Sequence, residues 1–449
     1  MKRFGALLLS VALMFTLFAG CSGSKQQPEQ TAKKESTQAS QETSQQAKVE
    51  QKRPVIIWSW DKNFNGTILD KAISLYKKDH PDVTFENVDL SFNDICQKLT
   101  TGLSAQSIDA LPDITLMGDN SIQNYLALYK EMFVDLTGKM PYDQFLPYKV
   151  AAGSYEGKNY SVPFDTGVAA LYYRSDIFEK AGYKEADMQD LTWEKYIEMG
   201  VNIKKVTGKY LFPLYSQHAA DGIECMLRSG GKSFFDDKGK LTIKDNPVLI
   251  KSMETLKAAY DAGIIKMAND WGGMVASLND GSCASKVSAV WFLSSITAAA
   301  DQKGLWRVAP PPRINVPDSK NAGNWGGSSW YVLKGSGNEE IAIDFLKTLF
   351  GGNVDFYNEI LKEKGALCAY IPARSVPALS EPHEFFGGQK VFEVFSKVNE
   401  QVPAINYGAH YRDAEAALTP ELVAYFKGEK DLTKALDDFD RIIRDQISK

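Results

Sequence analysis

The sequence predicts an α/β protein made of two packed units, and three observations carry that expectation. From residue 54 onward, short runs rich in β-branched and aromatic residues alternate with longer segments of helical period, the pattern of a mainly parallel sheet with helices on its faces. Roughly 395 residues follow the polar segment that ends near Arg53, enough for two or three domains and a substantial core. Finally, residues 155–176 read as a passage that carries the chain from one packed unit into another.

Taken in order, Met1-Lys2-Arg3 and the apolar run 6–18 have the charged and hydrophobic regions of a secretory leader. The run is shorter than the ~20 apolar residues of a membrane-spanning helix. It ends in Leu17-Phe18-Ala19-Gly20-Cys21, small residues ahead of a cysteine that would be lipidated and become the mature N-terminus. Phe18 stands where such boxes usually have Leu, and the alternative is an ordinary secreted protein cut nearby. Residues 22–53 are rich in Ser, Gln, Lys, Glu and Thr, lack aromatics, and have Val49 as their one large apolar side chain. Such a segment buries too little to offset ordering entropy, so a disordered tether is expected there.

Residues 55–60 read as a strand, with the loop 61–66 at its carboxyl end. A helix over 67–79 follows, with Ile68, Leu69, Ala72, Ile73 and Tyr76 on one face. A strand over 83–88, a helix near 94–104 and a strand over 113–117 complete the run, which ends in Gly118-Asp119-Asn120. In sheets of this kind ligands sit at the carboxyl ends of strands, which singles out Trp60, Asp61, Asp119 and Asn120. Glu156-Gly157 reads as a tight turn because glycine takes positive φ freely, and Pro163 stops the ladder because it has no N–H. Asp165 follows at once. Residues 168–173 suit a strand buried on both faces, and Ser175 is placed to cap a helix over 176–182.

In the second unit Thr192-Trp193-Glu194 opens a helix, with Trp193 as a packing wedge. His218 follows a strand over 211–217; no nucleophile or carboxylate stands at a motif spacing from it, which argues against catalysis. Asn246, Pro247 and Gly263 punctuate a helix over 247–262. Trp271 precedes a helix ending near Gly281, and a strand over 287–291 ends by presenting Trp291. Asn324-Trp325-Gly326-Gly327 leads back towards the first unit, its glycines allowing close backbone approach. The last helix, over 433–447, turns Leu436, Phe439, Ile442 and Ile443 inward.

A net charge of -5 gives no reason to expect nucleic acid or an acidic membrane surface as partner. Cys96, Cys225, Cys283 and Cys368 are spread without metal-ligand spacing, so no metal site is expected. Free buried thiols are the favoured reading, with a Cys225–Cys283 disulfide as the alternative. No Gly-rich nucleotide-binding pattern is present, which predicts no cofactor.

The segment Tyr155-Glu156-Gly157-Lys158-Asn159-Tyr160-Ser161-Val162-Pro163, and the order of segments over roughly residues 54–449, resembles the extracellular solute-binding proteins of family 1. These are the maltose-binding-like receptors of ABC sugar importers. The resemblance implies a two-lobed, periplasmic-binding-protein-like (type II) α/β fold, each lobe a mainly parallel sheet flanked by helices, joined by a multi-strand hinge. It places 54–164 with 326–370 in lobe 1 and 165–325 with 371–449 in lobe 2, after a leader over 1–20 and the Cys21 tether over 21–53. It also implies that Trp291 takes the position of a sugar-stacking aromatic, and that residues 404–411 offer Tyr407 and Tyr411 to the ligand. The implied protein is a monomer and not an enzyme. It would be held to the outer face of the cytoplasmic membrane through lipidated Cys21 alone and would deliver a carbohydrate to ABC permease transmembrane subunits.

A sugar ring has apolar C–H faces and a hydroxyl rim, so its receptor needs flat aromatics and fixed hydrogen-bonding groups. Trp60, Trp271, Trp291, Trp325, Tyr407 and Tyr411 are the candidates for the faces; Asp61, Asp119, Asn120 and Asp165 are those for the rim. Each Trp taken singly is more often core or rim than ligand platform. The chain departs from sugar-stacking relatives at Met117-Gly118-Asp119-Asn120, where an aromatic is common. Two other functions stay open: a receptor of the same fold for a polyamine or oxyanion, and an extracellular glycosidase, which would need two carboxylates about 5–9 Å apart.

Overall fold

The structure is a computed structural model that describes residues 51 and 53–448. The leader, Cys21 and all of the expected tether except Gln51 and Arg53 lie outside the described residues. The chain is already held at Gln51, whose amide exchanges hydrogen bonds of 2.8 Å with the Thr84 backbone. Arg53 forks onto the buried Asp113 carboxylate at 2.9 and 3.0 Å.

Among the described residues twelve strands follow in chain order: β1 Val55–Ser59, β2 Phe85–Asp89, β3 Ile114–Gly118, β4 Ser154–Tyr155, β5 Lys158–Asn159 and β6 Ser161–Pro163; then β7 Ala169–Arg174, β8 Phe212–Tyr215, β9 Ile265–Ala268, β10 Ser285–Ala289, β11 Trp306–Ala309 and β12 Ser328–Val332. Five form one sheet in the order β2-β1-β3-β12-β6, and three form a second in the order β10-β7-β11. The two-lobed α/β fold is as expected; the sheets are not mainly parallel, the first being mixed and the second antiparallel. β1 runs parallel to β2 and β3, but β12 runs antiparallel to β3 and β6. The reason is the route of the chain: β12 pairs its first residue, Ser328, with the last residue of β3, Gly118, so it starts where the parallel strands stop. In the second sheet β7 is flanked on both sides by antiparallel neighbours, and the parallel pair there is the separate β8–β9 ribbon.

Local signals decide most elements. The β4–β5 hairpin turns at Glu156 and Gly157, with φ of 48° and 75°, as its Glu-Gly pair requires. β7 is buried along its whole length. The helix Pro247–Asp261 has Asn246 accepting from the Leu249 N–H at 3.1 Å and proline in its first turn. Ser175 differs from expectation: it is the first residue of the helix Ser175–Lys180, and its hydroxyl donates to the Leu305 carbonyl at 3.0 Å instead of capping. Trp193 packs edge-on against Tyr196, a buried wedge as its place in the helix suggested. Cys96, Cys225, Cys283 and Cys368 are all free, and Cys96 is half-buried.

The first sheet is covered by the helix Glu339–Phe350, whose Phe350 packs against Phe164 and Trp330 and is backed by Phe345. A second core gathers β8, the helix Trp193–Thr207 and the C-terminal helices. Between β6 and β7 the chain bridges Asp165 to Cys368 and Val168 to Asn324, so three segments cross side by side. Gly167 lies at their contact: a Cβ there would sit 2.4 Å from the Trp325 carbonyl oxygen, which only glycine avoids.

Candidate functional site

The expected site residues fall into three groups. In the first, Trp60 lies half-buried with its ring edge-on to Phe92 at 4.9 Å. Asp61 adopts φ 59° and accepts from the Phe64 N–H at 3.1 Å, so this exposed carboxylate caps the turn Lys62–Gly66. Asp119 is buried, and its carboxylate receives the equally buried Lys149 ammonium at 2.5 Å and the Ser329 hydroxyl at 3.2 Å. Lys149 also donates to the Ser328 carbonyl at 2.9 Å. Asp165 accepts from both the backbone and the hydroxyl of Ser328, at 2.7 and 2.6 Å. Burial pushes both the Asp119 and Asp165 carboxyls up, and Lys149 opposes the shift at each. These two aspartates thus tie the ends of β3 and β6 to the start of β12. The side-chain oxygen of Asn120 accepts from Ser121 at 3.1 Å.

The second group is an aromatic wall. Trp271 opens the helix Trp271–Asn279 behind its cap Asp270 and stays 37 % exposed, enough to leave an indole face free. Its ring centroid lies 6.1 Å from that of Trp291, which lies 5.6 Å from that of Trp325. The Trp291 indole N–H donates to the Trp325 carbonyl at 3.1 Å and fixes the pair. Phe292 and Tyr215 meet Trp271 edge-on, and the Lys286 ammonium stands 5.7 Å from the Trp325 ring. The end of the second sheet's β10, the helix after β9 and the crossing before β12 therefore converge three of the expected tryptophans.

The third group is buried and polar. Tyr407 and Tyr411 pack edge-to-face at 5.1 Å. Tyr411 donates to Glu224 at 2.8 Å and accepts from Arg228 at 2.6 Å, while the Asn324 amide donates to the Tyr407 hydroxyl at 3.3 Å. A groove of about 660 Å³ runs beside this group, between Gln123, Ser154 and Tyr155 on one side and Asp237, Asn406 and Tyr407 on the other. Of the ten expected residues, Tyr407 alone lines it.

Sequence reading missed Lys149, Glu224, Arg228, Lys286 and Asn324. The Glu224–Arg228 spacing of four on the helix Asp221–Ser229 was the one local signal, and it is equally the signature of a solvated helix face. Around this pair the Asp221 and Glu415 carboxyls are pushed up to about 7 and about 9, by burial first and then by their acidic neighbours; the Lys286 amine is pulled down to about 8 by burial. Folding thus raises the affinity of two acids for protons, so the folded state binds more protons than the unfolded one above the ordinary carboxylate range. Between about pH 5 and 7, where Lys286 keeps most of its proton in both states, stability is expected to fall as pH rises. Thermal midpoints across that window test this, and Glu415→Gln should flatten the slope; a midpoint rising with pH would contradict it.

Among the described residues no cluster of three or more His, Cys, Asp or Glu could hold a metal ion, and no helix is long and apolar enough to cross a membrane. Two α/β lobes joined by three adjacent crossings, with an aromatic wall and a buried polar cluster where the chain passes between them, define a binding protein of the type II class. Residues 71–376 match the model of the bacterial extracellular solute-binding proteins, and the chain belongs to that family. It is therefore a binding protein, not an enzyme. A lactose-binding protein of Rhizobium radiobacter is 39% identical over 388 residues, 86% of this chain and 91% of that one. An arabinooligosaccharide-binding protein of Bacillus subtilis (strain 168) is 25% identical over 426 residues, 90% of each chain. A crystal structure of an extracellular solute-binding protein of family 1 superposes with a TM-score of 0.75 at 20% identity, over 87% of this chain and 99% of that one.

Proposed function

We propose that the chain is the substrate-binding receptor of an ABC importer for a sugar or short oligosaccharide, with lactose as the first ligand to try. The observation that carries this reading is the row of three tryptophans, 271, 291 and 325, with Trp291 in the middle at 6.1 and 5.6 Å from its two neighbours, beside buried hydroxyl and amide groups. Flat rings suit the C–H faces of a sugar, and fixed polar groups suit its rim. A receptor of lactose at 39% identity supports the same class. Residues 54–164 with 326–370 form one lobe and 165–325 with 371–449 the other, and the ligand drives closure because it touches both lobes in one state and a single lobe in the other. Trp60, Asp61, Asp119, Asn120 and Asp165 contribute from the first lobe and the crossing; Trp271, Trp291, Trp325, Tyr407 and Tyr411 contribute from the other side. The protein works as a monomer, as the family resemblance implies, and is held to the outer face of the membrane through lipidated Cys21, an anchor supported by the Leu17–Cys21 pattern alone.

The test is thermal unfolding of the protein from Lys52 onward against lactose, other mono- and oligosaccharides, polyamines and oxyanions. A true ligand at 100 times its Kd should stabilise by about 2.7 kcal/mol. A shift with a saccharide recovered intact supports the proposal. A shift with a polyamine or oxyanion alone would overturn the carbohydrate assignment, and slow loss of the sugar would favour a glycosidase.

A further inference from the structure

We infer that Arg228 is a positioning residue for the ligand wall: its guanidinium holds the Trp325 loop and the Tyr407–Tyr411 pair in one arrangement. The inference rests on the proposed saccharide site. Arg228 stands at the end of the helix Asp221–Ser229 and is 2 % exposed, so its two terminal nitrogens find their partners inside the protein, while its buried Nε has none. One arm donates to the backbone carbonyl of Asn324, the residue immediately before Trp325. The other donates to the Tyr411 hydroxyl at 2.6 Å and pairs with Glu224 at 2.8 Å. The guanidinium plane also stands 5.5 Å from the Tyr407 ring and 5.6 Å from the Tyr411 ring.

The Trp325 loop needs such a tether. Gly326 and Gly327 take φ of 94° and 92°, where the backbone has little intrinsic preference to hold one shape. Asn324 restrains it further, accepting from the Gly167 N–H at 3.1 Å and donating to the Gly326 carbonyl at 2.7 Å. Arg228 therefore acts on two crossings at once, through one carbonyl. A lysine in its place would carry the charge but has one ammonium centre, and could not span the Asn324 carbonyl and the Tyr411 hydroxyl in the geometry of a planar fork.

The experiment is a double-mutant cycle on saccharide affinity. Arg228→Lys should raise Kd roughly tenfold at unchanged circular dichroism. Combined with Trp325→Phe, the effects should fall well short of multiplying, because both act through the same ring; combined with Trp60→Phe, they should multiply. A purely structural role would make Arg228→Lys multiply with both. If Arg228→Lys fails to fold, Arg228→Gln with Glu224→Gln removes the ion pair without leaving a buried charge alone and enters the same cycle. Unchanged affinity in the variants, or multiplication with Trp325→Phe, would overturn the inference while leaving the saccharide site intact. Absence of any saccharide binding by the unaltered protein would overturn the reading of the site and the inference with it.

Discussion

Lys149→Met is expected to destabilise the protein by roughly 3–5 kcal/mol, the cost of leaving a buried ionised partner alone. Lys149 and Asp119 are both almost fully buried, and the ammonium satisfies Asp119 and the Ser328 carbonyl together. Removing it strands a carboxylate that burial already pushes towards its neutral form. The Asp119 carboxyl should then take up a proton, so the variant's loss is smaller at pH 5 than at pH 8. The double change Lys149→Met with Asp119→Asn should recover most of the loss, since buried pairs replaced together are often near neutral. Urea midpoints of the two variants and of the original protein decide this. A single variant as stable as the original protein would show that the pair is hydrated and contributes little.

Trp291→Ala should raise the saccharide Kd by about 30-fold or more, the scale of a truncated aromatic at the centre of a contact surface. Trp291 is the middle ring of the wall, and its indole N–H also fixes the Trp325 carbonyl at 3.1 Å, so the truncation removes one platform and loosens a second. Trp291→Phe keeps a flat ring but loses the donor, and should fall between the two. Trp193→Phe, a change in a buried wedge remote from the wall, should leave Kd unchanged while lowering the melting temperature. Isothermal titration of the four proteins separates the outcomes. Equal affinity in Trp291→Ala would move the ligand away from this wall, and the groove beside Tyr407 would become the next place to look.

What could be read from the chain in advance was whatever its neighbours in sequence determine. Asn246 with Pro247, Glu156 with Gly157, and the apolar run that became β7 specify caps, a turn and a buried strand through interactions within a few residues. The rule that ligands lie at strand ends also brought Trp60, Asp61, Asp119 and Asn120 forward, while Trp291 and the segment with Tyr407 and Tyr411 came from the family resemblance.

The same rule could not say what each polar group would do once there. Asp61 turned back to cap its own turn, because φ 59° points its carboxylate at the Phe64 N–H. Asp119 met Lys149, 30 residues away, and Arg228 met Tyr411, 183 residues away. Nothing local marks such partners: a lysine in a short helix and an arginine four residues after a glutamate look the same whether water or a carboxylate awaits them. The direction of β12 was likewise settled only when the chain returned from the second lobe at the end where β3 stops. The sequence by itself therefore determined most of the elements and where the aromatic residues stand along them. Tertiary structure alone decided which charges are buried together, since desolvation and pairing depend on distance in space, and that distance exists only after the two lobes have formed.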